Sequence, residues 1–183
     1  MNGRQNYLEF KVPISQKAKW FDDLRKAFAK LGIQAPWHKK DDFHLTVAFM
    51  NDDTKVPELQ KAFAKHFKGR TAIPLTIDQL SAFRSSNRGD YIIHLSSSQP
   101  SEELVALIEA LRYEVINCGV SISSSFIFHI TLRRVDASVA TLEEIENILA
   151  TIEFPSFSVE ICEAEYRFFR SKTIQSWKLR REK

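Results

Sequence analysis

The order of elements implied by the sequence occurs twice, and each copy carries a histidine within an apolar run. In the first copy, Gly32 is followed twelve residues later by His44 in "DFHLTVAF"; in the second, Gly119 is followed ten residues later by His129 in "FIFHITL". From each histidine the next helical pattern opens twelve residues on, at Val56 and at Thr141. A duplicated order of this kind predicts two similar lobes. No low-complexity tract or linker separates the halves, so residues 1–183 are expected to form one domain in which the lobes pack together.

The periodicities give the elements. "YLEFKV" alternates Leu8, Phe10 and Val12 with polar residues, a strand pattern that Pro13 stops. Phe21, Leu24, Phe28 and Leu31 follow helical spacing up to Gly32, a residue able to take the left-handed conformation that closes a helix. Val56, Leu59, Phe63 and Phe67 predict a second helix, with Pro57 in its first turn and Gly69 at its end. "AIPLTI" and "YIIHL" read as strands around an exposed loop, "RSSNRGD". A third helix runs through Leu104, Leu111 and Val115 to Gly119. In a fourth, Thr141 and Glu144 stand at capping-box spacing ahead of Ile145, Leu149 and Ile152. "FSVEIC", "YRFFR" and "IQSWKLR" are expected strands that complete the sheets. The fold class is α/β in the α+β sense.

Composition narrows the functional classes. The apolar runs fall far short of the ~18 residues that cross a bilayer, and the start lacks the layout of a secretory signal, so a cytoplasmic protein without membrane partners is expected. Cys118 and Cys162 are expected to be small core residues in a reducing compartment. A net charge of +3 permits a phosphate-bearing partner without requiring one.

On a strand, successive side chains point to opposite faces. His44 and Thr46 therefore share one face, while Phe43, Leu45, Val47 and Phe49 are expected to enter the core; His129 and Thr131 stand likewise against Phe128, Ile130 and Leu132. With five histidines and eight threonines in the chain, about 0.2 His-x-Thr triplets are expected by chance. Two within apolar strands therefore mark a designed pair. Zinc catalysis lacks a third ligand at useful spacing, a serine triad lacks its Gly-x-Ser-x-Gly turn, and five glycines assemble no phosphate loop. Two histidines suit acid–base chemistry at a phosphodiester: one takes a proton from the attacking oxygen while the other gives one to the leaving oxygen. In-line displacement puts those oxygens on opposite sides of phosphorus, and facing lobes can bracket them. The threonine hydroxyls would hold the non-bridging oxygens.

The two motifs, "HLTVAF" and "HITLRR", resemble the paired His-x-Thr/Ser signature of the 2H phosphoesterase superfamily, and the chain is most similar to its bacterial 2′-5′ RNA ligase and cyclic phosphodiesterase branch. The resemblance extends over most of the chain, including the aromatic stretch "YRFFRSKTIQSWKL". It implies a bilobal fold of pseudo-twofold symmetry, with antiparallel sheets lining a central cleft and helices outside. It also implies metal-independent, cofactor-free action on 2′,3′-cyclic phosphate ends or 2′,5′-linked RNA and nucleotides. His44, Thr46, His129 and Thr131 become the catalytic set. Phe49-Met50-Asn51 stands where this branch often has Phe-Leu-Gly. The family's arginine, five positions after the second histidine, matches Arg134, whereas strict alternation puts Arg133 on the histidine face; both are candidates for the phosphate. Tyr91, Phe168 and Trp177 are candidates for stacking a base, and His94 for approaching the cleft. The expected partner is an RNA end or cyclic nucleotide. Hydrolysis of the cyclic phosphate is the leading reading, with 2′-5′ ligation and a non-catalytic RNA- or nucleotide-binding module as alternatives.

Overall fold

The computed structural model describes residues 6–34, 37–38, 43–85, 89–122, 125–168 and 172–181. Within them the chain runs β1 (Asn6–Lys11), α1 (Lys19–Ala29), β2 (His44–Met50), α2 (Val56–Phe67), β3 (Ile73–Ile77) and β4 (Gln79–Arg84). The order then repeats as β5 (Tyr91–Ser96), α3 (Glu102–Asn117), β6 (Ile130–Val135), α4 (Leu142–Leu149), β7 (Phe157–Ile161) and β8 (Glu163–Phe168), with β9 (Lys172–Lys178) added at the end. Gly32, Gly69 and Gly119 take φ between 74° and 76° just beyond three helices, as the sequence predicts. The Thr141–Glu144 capping box forms in full.

Seven strands make one antiparallel sheet in the order β4-β5-β6-β2-β1-β8-β9, and β3 pairs with β7 in a small second sheet. The two halves exchange strands. β4, from the first half, extends the sheet beside β5, and β8, from the second, pairs with β1. The lobes meet where β2 and β6 pair through Leu45 and Ile130.

Helices cover one face of the large sheet. Phe21, Leu24 and Phe28 of α1, Leu59 and Phe63 of α2, Leu104 and Leu111 of α3 and Ile145 of α4 join Leu8, Phe10, Leu45 and Ile130 in one buried cluster. Each such side chain contributes roughly 1.5–3 kcal/mol. The opposite face carries the histidines.

Three expectations need correction. "FIFHITL" was expected to be strand throughout, but β6 begins at Ile130 and residues 125–129 lie outside the ladder. The carbonyl of Ile127 there takes a hydrogen bond from the His129 ring instead of a neighbouring strand. Cys118 and Cys162 are free thiols, half-buried at the margin of the core. Phe49 does not enter the core: a bulge at Val47, between the Leu8–Ala48 and Glu9–Thr46 pairs, turns it to the histidine face beside Tyr7.

Candidate active site

Cross-strand partners share a face of a sheet, so the register assembles the site. Leu45 pairs with Ile130, which brings the His44–Thr46 segment of β2 against the start of β6, and Thr46 and His129 line one groove.

A second bulge mirrors the first. Leu132 stands between the His94–Thr131 and Ile93–Arg133 pairs, three residues after His129, as Val47 stands three residues after His44. Alternation flips there too. Arg134 becomes the partner of Ile92 and lines the groove with Thr46, Phe49, Phe83, Ile92 and His129. Arg133, paired with the buried Ile93, points to the other face and lies 5.4 Å over the Trp37 ring. Of the two arginines, the structure brings Arg134 to the groove that His129 lines.

The stacking candidates lie elsewhere. Trp177 pairs with the buried Ala164 and stacks on Phe67 at 4.9 Å. Tyr91 pairs with Val135 and packs against the core. Phe168 pairs with Asn6, a residue of the buried face. In the "RSSNRGD" loop, residues 86–88 lie outside the described residues, while Ser85 lines the groove.

The histidines have different surroundings. His129 Nδ1 lies 2.8 Å from the Ile127 carbonyl, so that nitrogen carries the hydrogen and Nε2 offers a lone pair. Phe83 meets the His129 ring edge-on at 5.4 Å, and His94 lies 6.2 Å away, nearly perpendicular. Burial lowers the pKa of His129; the Ile127 hydrogen bond works against this, and His44 and Arg134 add to the depression. His94 accepts or donates at Ser81 Oγ across 2.9 Å, and burial pushes it down to about 4. His44 instead has its Nδ1 3.5 Å from Glu9 Oε2. Glu9 is fully buried, and its Oε1 meets Lys11 Nζ at 2.9 Å and Arg167 Nη1 at 3.3 Å.

Glu9, Phe83 and Arg112 were not singled out from the sequence. Glu9 reads as an ordinary polar position in an alternating strand, and its burial comes from a neighbouring strand far along the chain. Arg112 reaches from α3 to donate to the carbonyl of the bulge residue Val47 at 2.9 Å, which only the three-dimensional bulge explains. Among the described residues no group of three or more His, Cys, Asp or Glu side chains is placed to hold a metal ion, and no helix is long and apolar enough to cross a membrane.

The family model of the 2′-5′ RNA ligase superfamily matches residues 13–167. The chain belongs to this superfamily of 2H phosphoesterases. An RNA 2′,3′-cyclic phosphodiesterase from Thermotoga maritima is 23% identical over 145 residues, which are 78% of this chain and 75% of that protein. Among solved structures, E. coli LigT complexed with 3′-AMP superposes with a TM-score of 0.59 at 18% identity, covering 96% of this chain and 98% of that one. Kluyveromyces marxianus Usb1 gives a TM-score of 0.65 at 10% identity, covering 97% and 99%. The 2H phosphoesterase fold of the chain thus spans nearly its whole length.

Proposed function

We propose that this 2H phosphoesterase opens 2′,3′-cyclic phosphates on RNA ends or small nucleotides, without a metal, by acid–base catalysis between His44 and His129. The observation that supports this reading is the meeting of the two His-x-Thr segments, where Leu45 pairs with Ile130 and Thr46 and His129 line one groove. A phosphorus seated between the imidazoles has a nitrogen base on the side of the attacking water and a nitrogen acid on the side of the leaving oxygen, as in-line displacement requires. The threonine hydroxyls and Arg134 then face the non-bridging oxygens, where negative charge grows in the transition state. The name of the Thermotoga relative agrees with this substrate class.

A chelator-treated sample assayed on cyclic mononucleotides, cyclic-ended RNA and 2′,5′-linked dinucleotides tests the reading. Turnover of the cyclic phosphates is expected, and His44→Ala or His129→Ala should each lower it by about 10² to 10⁴ while the circular dichroism spectrum is retained. Full activity in either variant rejects the scheme. The superfamily's name also supports a second reading, joining of RNA ends through a 2′,5′ bond. Adding a 5′-hydroxyl strand to the cyclic-ended RNA separates the two by the product formed.

A further inference from the structure

Just beyond the Leu45–Ile130 pair the large sheet opens. The facing chain meets β2 again at the isolated bridge between Met50 and Ile122. Met50 lies five residues beyond Leu45, whereas Ile122 lies eight before Ile130, so the facing chain carries a surplus of three residues and bows out of the ladder. Among the described residues none pairs with residues 46–49 along this edge, yet Thr46 and His129 line one groove there. Neighbouring strands are ordinarily kept in place by cross-strand hydrogen bonds. Over this stretch another contact has to hold the two walls of the groove together.

We propose that Arg112 is the positioning residue that does so, a clamp from α3 that ties the β2 bulge to the segment carrying His129. This role rests on the cyclic-phosphodiesterase reading above and adds what keeps the two motifs in register. Arg112 Nη1 donates to the carbonyl of Val47, the bulge residue, at 2.9 Å. The same guanidinium stands over the Phe126 ring, 5.8 Å from its centre. One planar cation thus touches both sides of the gap, with a hydrogen bond to β2 and a cation–π contact to the bowed segment. Its base is firm, because Leu104, Leu107, Ile108, Leu111 and Val115 bury the other side of α3 in the core.

Both contacts adjoin groups of the site. Val47 follows Thr46 directly and is buried, so its carbonyl needs a donor, and Arg112 supplies a charged one. On the opposite wall Phe126 precedes Ile127, whose carbonyl orients the His129 ring at 2.8 Å. Phe126 also meets Phe128 edge-on at 6.2 Å, so its ring fixes the chain on either side of that carbonyl. His129 stands before β6 begins, and Ile127 is half exposed. The orientation of the ring therefore depends on how firmly this bowed segment is held, and releasing Phe126 loosens the carbonyl that sets it.

Arg112→Met keeps the alkyl stem and removes the cation with its donors. Misplacing a catalytic group by about 1 Å costs on the order of 10²-fold, so kcat on 2′,3′-cyclic CMP is expected to fall about 10- to 100-fold while KM stays within about 3-fold. Arg112→Lys, which keeps a charged donor, recovers part of kcat. Phe126→Leu lowers kcat in the same way, and the double variant loses little more than the worse single one, because both break one clamp. Tyr113→Ala, an exposed neighbour on α3, retains the wild-type rate.

A wild-type kcat in Arg112→Met overturns the clamp. A loss carried by KM overturns it too, since Arg112 would then bind substrate, and so do losses that multiply in the double variant, since the two contacts would then act independently. Should Arg112→Met not fold, Arg112→Lys and Phe126→Leu carry the same comparison. If the wild type turns over no cyclic phosphate, the cyclic-phosphodiesterase reading fails, and NMR relaxation judges the clamp alone. Amide order parameters of residues 125–129 are then expected to fall from about 0.85 to below about 0.6 in Arg112→Met while those of β6 hold. Unchanged values for residues 125–129 overturn the role of Arg112.

Discussion

Arg133 and Arg134 are neighbours in sequence and lie on opposite faces of the sheet. Arg134 lines the groove, and the loss of a preorganised cation facing transition-state charge costs about 10² to 10³ in rate. Arg134→Ala is therefore expected to lower kcat/KM on a cyclic nucleotide by that factor with little change in melting temperature. Arg133→Ala removes a cation from the Trp37 face, about 0.5–2 kcal/mol, and is expected to lower stability while kcat/KM holds. Steady-state kinetics alongside thermal melts distinguish the pair; the reverse pattern would mean that the bulge at Leu132 does not exist in solution. His94 contributes a pH dependence of its own. Its folded value of about 4 lies below the ordinary histidine value near 6.5, so the unfolded chain binds a proton in that window before the folded one does. Stability held above pH 6.5 is lost as pH falls toward 4, on the order of 3 kcal/mol. Urea midpoints at pH 7 and pH 4.5 are expected to differ more for the wild type than for His94→Gln.

At the scale of elements, the helices were the most legible part of the sequence because their signals are local. The Thr141–Glu144 box forms with Thr141 Oγ1 accepting from the Glu144 amide at 3.2 Å and the Thr141 amide donating to Glu144 Oε2 at 2.7 Å. Thr141→Ala is expected to cost about 1 kcal/mol, a drop of roughly 2–4 °C in melting temperature for a chain of this size, and to leave the groove's chemistry untouched. Strand faces were legible only as far as the first irregularity. His44, Thr46 and Thr131 precede the bulges and keep the alternation, His129 stands just before its strand, and Phe49 and Arg134 follow the bulges and do not keep it. A bulge is a property of two strands in register, and neither "HLTVAF" nor "HITLRR" contains a glycine or proline to announce it. The aromatic residues failed for a related reason: Tyr91 and Trp177 sit on strands whose partners decide which face is buried.

For the whole molecule, the exchange of β4 and β8 means that neither half contains its own complete sheet. A fragment ending at Ser85 would hold β4 without β5, and one beginning at Gly89 would hold β8 without β1. Each alone is expected to be largely unfolded by circular dichroism, and a mixture of the two to recover native signal; an independently folded half would contradict the topology. The junction of β2 and β6 bears on how substrate arrives. His44 opens β2 and His129 stands just before β6, two strands of one continuous sheet joined through Leu45 and Ile130. The two His-x-Thr segments are thus held together by the sheet itself before any ligand arrives, so that association need not draw two separate bodies together.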